Sequence, residues 1–139
     1  MQDNVRPLRE RGAETEKITI NLGHVDLGRI DLMVREGFYS NRTDFIRTAI
    51  RNQLTAHGAD VARSIERHTF EVGLREFGAA ELEAVRAAGE TLHVRVLGLA
   101  RFAADVTPEL ARATIASMTV LGALQASPEV RKALADRIR

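Results

Sequence analysis

Residues Lys17-Ile-Thr-Ile-Asn-Leu22 alternate strictly, with Ile18, Ile20 and Leu22 on one side and Lys17, Thr19 and Asn21 on the other. That is the period of a β-strand with one dry and one wet face. After Gly23 the pattern turns helical. Asp26 can cap a short helix in which Leu27, Ile30 and Val34 recur at i, i+3 and i+7, and Gly37 suits a left-handed stop. A second helix starts at Asn41, where Asn41-Arg42-Thr43-Asp44 has the form of a capping box with an acid at its fourth position. It carries Phe45, Ile46, Ala49, Ile50 and Leu54 as an apolar stripe and ends before Gly58. Gly28 inside the first helix costs about 1 kcal/mol against Ala, so that helix needs tertiary support. A lone strand has no ladder partner, and a unit of about 40 residues buries too little surface to stand by itself. The simplest remedy is a second copy. Two strands then pair antiparallel into a swapped ribbon, with four helices behind it, and the expected state is a homodimer.

The rest of the chain differs in texture. Residues 1–16 mix three arginines with four acids, hold no apolar period and read as a flexible arm. Residues 17–57 are the strand-helix-helix unit, and 58–67 a linker or helix extension. From 68 to 139 the chain becomes Ala-rich and is punctuated by glycine. Val72-Gly73-Leu74, Leu97-Gly98-Leu99 and Leu121-Gly122-Ala123 place glycines 25 and 24 residues apart. Helix-start tetrads come after each: Ala79-Ala-Glu-Leu82, Thr107-Pro-Glu-Leu110 and Ser127-Pro-Glu-Val130. A strand-plus-helix unit of ~24 residues lies in the range of stacked repeats. The first unit fits least well, because Phe70, Val72 and Leu74 run out of step by one with Val94 and Val96. The expected fold class is α+β: the strand-helix-helix dimer, then a small α/β repeat domain for oligomerisation or sensing. The last strand, read as Ser117–Gly122, has only a terminal helix after it. Its end is expected to pack against another subunit, giving tetramers or larger assemblies.

Lys17, Thr19 and Asn21 from two paired strands make a patch of polar side chains opposite the helices. A two-stranded ribbon fits the major groove of double-stranded DNA, where Lys reaches guanine, Asn pairs with adenine and Thr contacts an edge or a thymine methyl. The plain alternative is a solvated strand face. Asn41, Arg42 and Thr43 at a helix N-terminus suit a phosphate, and the plain alternative is a helix cap. The stretch Lys17–Leu22, the helix to Gly37 and Phe38-Tyr-Ser-Asn-Arg-Thr-Asp-Phe-Ile-Arg-Thr-Ala-Ile-Arg51 resembles the ribbon-helix-helix superfamily of Arc, MetJ and CopG type, over residues ~16–56. That resemblance implies that Lys17, Thr19 and Asn21 touch bases and that Asn41, Arg42 and Thr43 clamp phosphate. Gly28 departs from the pattern. The C-terminal 80 or so residues resemble no member from which a role can be transferred.

Other classes are weaker. Absence of cysteine excludes disulfides, thiolate metal sites and cysteine nucleophiles. His24, His57, His68 and His93 form no close pair at ligand spacing, so no metal and no cofactor is expected. Catalytic motifs are missing, and Glu81, Glu109 and Glu129 sit where helix dipoles favour acids, so the chain reads as no enzyme. With no apolar run near ~20 residues and no apolar leader, the expected location is cytoplasmic, away from membranes. The leading function is a sequence-specific transcriptional regulator, read as a repressor. The rivals are an antitoxin that silences a partner toxin and a self-assembling structural protein. Toxin-wrapping tails are usually charged and disordered, whereas 68–139 reads as folded, which favours the regulator. The overall charge is only +1. Residues 17–54 hold six basic and four acidic side chains, +2 per subunit, so multivalent binding is expected to supplement a weak electrostatic grip.

Overall fold

The computed structural model describes residues 15–139. The expected arm therefore lies outside the described residues except for Thr15 and Glu16. Two compact units divide between Ser64 and Ile65. In the first, residues 15–23 have no regular secondary structure, and helices α1 (His24–Arg35) and α2 (Arg42–Ala56) come next. A third helix, α3 (Gly58–His68), contains the division between the units. The 58–67 stretch is thus helical.

Asp26 does not cap α1 as its sequence position suggests. It lies in the first turn instead, and Gly23 occupies the cap without a side-chain bond. A carboxylate one turn inside still faces the positive end of the helix dipole, so it can favour the start without capping it. At the other end Gly37, with φ of 85°, donates to Val34 and Phe38 donates to Met33, at 3.1 and 3.0 Å. This is a Schellman stop, which requires the left-handed conformation that glycine adopts without strain.

The second unit consists of three strand-helix pairs: β1 (Glu71–Phe77) with α4 (Ala79–Ala87), β2 (Leu92–Phe102) with α5 (Pro108–Thr114), and β3 (Ile115–Gln125) with α6 (Pro128–Leu134). The sheet is parallel in the order β1-β2-β3. Thr107 and Ser127 cap α5 and α6, each accepting from the N–H three residues on at 3.2 Å. Gly78 precedes α4 and supplies no side-chain cap. Asp105, from the loop after β2, accepts the Ala79 N–H at 3.2 Å.

Glycine sets the register. Gly73 pairs with Gly98 and Gly98 with Gly122, and all three have positive φ. A Cβ on Gly98 would lie 2.2 Å from the Gly73 carbonyl oxygen, and one on Gly122 would lie 2.1 Å from that of Gly98. The same register explains why the first unit looks out of step in sequence. Val72 pairs with Leu97, not with Val94 or Val96, and therefore belongs to the face away from the core. The core-side residue of β1 is Phe77, whose ring stacks on Phe102 at 5.0 Å. Leu82, Val96, Ala100, Leu110, Ile115, Met118, Val130 and Leu134 complete the core.

β3 extends beyond the expected Ser117–Gly122, and its outer edge is not bare. The chain after α6 turns back, so that the Met118 N–H donates to Arg137 at 2.9 Å and the Arg139 N–H donates to Met118 at 2.8 Å. Arg137 anchors this return by donating to the carbonyls of Arg112 and Ile115. The Arg112–Asp136 pair, at 2.8 Å, ties the same turn to α5. An edge whose backbone groups are partly paired this way is a poor template for another subunit. The sequence-based reason for growth through this end is therefore corrected. No helix among the described residues is long and apolar enough to cross a membrane.

Candidate nucleic-acid interface

Lys17, Thr19 and Asn21 are exposed, but so are their apolar neighbours: Ile18 is 73% and Ile20 59% accessible. Across the described residues of the first unit, Ile30 is the one buried apolar side chain. Ile20 and Leu22 instead face a cavity of about 430 Å³ lined also by Ile30, Met33, Phe45 and Ile46, with Asp26 and Arg29 at its rim. That is half a core. The segment 20–22, α1 and α2 all contribute apolar side chains to this cavity, and α2 buries no residue fully in the single chain. The expected strand 17–22 is not a strand in one copy because a ladder needs a second backbone.

The start of α2 is firmly built. Asn41 Oδ1 accepts from the Asp44 N–H at 2.8 Å, while Asp44 Oδ2 accepts from the Ser40 N–H at 2.9 Å. The reciprocal bond of a capping box is thus present but displaced by one residue, onto Ser40 rather than Asn41. Tyr39 packs edge-on against Phe45 with centroids 4.9 Å apart, which fixes the approach of the turn. Thr43 is exposed, and first-turn N–H groups have no intrahelical acceptor. Asn41, Arg42 and Thr43 are therefore brought together at one helix end.

Arg42 has a partner that sequence inspection missed. Its Nε and Nη2 both bond the Asp31 carboxylate, each at 2.8 Å, across the α1–α2 turn. The guanidinium holds the Asp31 carboxyl below its ordinary range, and the carboxylate raises Arg42 in return. Both side chains are about half exposed, so the pair adds little stability. Its consequence is orientation: the fork of Arg42 is already paired with an anion of carboxylate shape. The missed signal was topological. Gly37 reverses the chain, so the third turn of α1 returns beside the first turn of α2.

Two of the histidines bridge neighbouring elements of the second unit, His93 through its ring and His68 through its backbone. His93 Nδ1 lies 2.8 Å from Ser117 Oγ on the neighbouring strand, and the His68 carbonyl accepts from Arg95 at 2.9 Å. Among the described residues no group of three or more metal-binding side chains occurs.

Residues 13–131 match the model of a family described as the Ribbon-Helix-Helix transcriptional regulator family. No curated protein and no solved structure matches the chain.

Proposed function

Because the chain belongs to the ribbon-helix-helix transcriptional regulator family, we propose that it is a sequence-specific DNA-binding repressor that works as a homodimer in the cytoplasm. The observation that carries this reading is the half-core of the first unit. Ile18, Ile20 and Leu22, which alternate with polar residues in the sequence, remain exposed, and Ile20 and Leu22 line an apolar cavity that also takes in Ile30, Met33, Phe45 and Ile46. A second copy completes both at once. Its strand pairs antiparallel with residues 17–22, and its helices cover the cavity. The pairing turns all three apolar side chains inward, so Lys17, Thr19 and Asn21 of both copies form the outward face of the ribbon.

A ribbon of two strands enters the major groove, where those side chains have the donors and acceptors to distinguish base pairs. Asn41, Arg42 and Thr43 at the start of α2 grip the flanking phosphates, with the helix N-terminus adding partial positive charge. The protein thus acts by occupying its operator and catalyses nothing. The folded second unit weighs against a toxin-wrapping tail. The test is selection of genomic fragments by the full-length protein, with sequencing of those retained. Enriched fragments should share a two-fold symmetric element with half-sites in fixed spacing. Retention of all fragments alike would refute sequence-specific regulation.

A further inference from the structure

Among the described residues, the helices α4, α5 and α6 pack on one face of the sheet of the second unit, through Leu82, Leu110, Val130 and Leu134. On the other, two rows of side chains run across the strands in register: Val72-Leu97-Leu121 and Leu74-Leu99-Ala123. None of the six packs against the buried core. At the edges of the rows, Val72 is 65%, Leu74 53% and Leu121 52% accessible. Polar residues border this patch at both ends, with Arg95 and Thr119 on one side and Glu76 and Arg101 on the other. Glu76 and Arg101 pair with each other at 3.7 Å. A parallel sheet normally has both faces covered, and a contiguous apolar patch with a polar rim marks a surface that is covered in use.

We propose that this open face docks against the same face of a second copy of the chain. Size decides the occupant. Three strands and two rows span about 10 Å by about 7 Å. That is far short of the roughly 800 Å² per partner that a free-standing specific interface buries. A foreign protein recruited from dilute solution would find too little to hold. A second copy is different, because the ribbon dimer proposed above, on which this inference rests, already joins two chains. Within a joined pair the second face is tethered to the first, and where the α3 connection lets the two faces meet a small apolar contact suffices. The patch also suits a self-contact in having its charged groups only at the rim, with one acid and one base already paired there.

The chain has no cysteine, so single thiols report unambiguously. Leu97→Cys places one at the middle of the patch, and Glu83→Cys places one on α4 as the control. Treatment of each full-length protein with a bis-maleimide spanning about 10 Å, the spacing of packed sheets, should link most Leu97→Cys chains into covalent dimers. Glu83→Cys should stay uncrosslinked. Adding Leu74→Lys and Leu121→Lys to Leu97→Cys should abolish the link while sedimentation still shows a dimer held by the ribbon. Linking of Leu97→Cys no faster than Glu83→Cys, in a protein that sediments as a dimer, overturns the face contact and spares the regulator reading. A wild-type chain that sediments as a monomer overturns the ribbon dimer itself. A tetramer that falls to a dimer on the double Lys substitution overturns the contact within one ribbon dimer, because the face then joins separate dimers.

Discussion

Replacing Gly98 by Ala should unfold the second unit far more readily than replacing Gly73 by Ala, although both glycines have positive φ and lie side by side. At Gly73, φ is 114° and a Cβ meets nothing within 4 Å, so the cost is conformational alone. Holding a non-glycine residue in that region costs about 1–3 kcal/mol. At Gly98, φ is 138° and the same cost applies, but the new Cβ would lie 2.2 Å from the Gly73 carbonyl oxygen. Ordinary contact begins near 3.4 Å, so β1 and β2 must part locally by more than about 1 Å, which carries nearby ladder bonds beyond bonding distance. Losing two such bonds, at about 1 kcal/mol each, brings the total for Gly98→Ala to about 3–5 kcal/mol. Gly122→Ala should resemble Gly98→Ala, since its Cβ would lie 2.1 Å from the Gly98 oxygen.

The assay is urea unfolding monitored by two probes. Far-UV circular dichroism reports the sheet and helices of the whole chain. Fluorescence of Tyr39, the one tyrosine in a chain without tryptophan, reports the first unit. The dichroism transition assigned to the second unit should move to lower urea in the order wild type, Gly73→Ala, then Gly98→Ala and Gly122→Ala together, with the Tyr39 transition unmoved. Equal losses for all three, within about 0.5 kcal/mol of experimental scatter, would show that close backbone approach is not what selects glycine at the inner positions.

Single Ala substitutions at Lys17, Thr19 and Asn21 should leave a folded dimer. Each should cost about 1–3 kcal/mol of discrimination between operator and scrambled DNA in fluorescence anisotropy, and equal loss on both DNAs would remove the base-reading role. Asn41→Ala should lower thermal stability by about 1 kcal/mol through the lost cap. Arg42→Ala should weaken binding to every sequence with a shallower salt dependence, whereas Asp31→Asn, which frees Arg42, should tighten it. Weaker binding by Asp31→Asn would show that the carboxylate positions Arg42 rather than competing for it. Asp136 is held below its ordinary pKa chiefly by its hydrogen bond to Arg112. Its contribution is therefore present above the unfolded value, about 3.9, and is lost as pH falls through the lower folded value. Thermal midpoints of wild type and Asp136→Asn should converge in that acid range, and a constant gap down to pH 2 would refute it. Gly28→Ala should stabilise α1 by about 1 kcal/mol because its Cβ meets nothing within 4 Å in the single chain. Destabilisation in a denaturation curve would mean that the partner's backbone passes there.

Periodicity alone revealed those elements whose stabilising contacts lie close in the chain. Gly37 and Asn41 fix the α1–α2 turn through bonds spanning three to five residues, so both ends could be read from sequence. Thr107-Pro108 and Ser127-Pro128 announced α5 and α6 for the same reason. The first strand-helix pair was harder, because Val72 and Leu74 look like core residues and are not. Their side of the sheet is decided by Gly73 meeting Gly98, a contact between residues 25 apart that no local pattern encodes. The return of Arg137–Arg139 along β3 was invisible on similar grounds: three terminal residues carry no period, and their partner Met118 lies far back in the chain.

At the candidate interface, sequence could name the side chains but not their competition. Alternation separates Lys17, Thr19 and Asn21 from Ile18, Ile20 and Leu22, and both sets are exposed in one copy, as the proposed two-chain ribbon would require. Nothing in a linear pattern links Asp31 to Arg42, yet their bidentate contact would change what the helix start offers to a phosphate in the proposed mode of binding. A guanidinium already facing a carboxylate would have to exchange one anion for another to take a phosphate, so its net gain would be smaller than that of a free arginine. With only +2 on the strand and two helices of each chain, that discount matters more than it would on a strongly basic protein. Affinity then depends on the number of gripping points held together, which makes a second contact between joined chains relevant to DNA binding. The sheet face would supply it by fixing how two copies stand, at no cost in base-contacting residues.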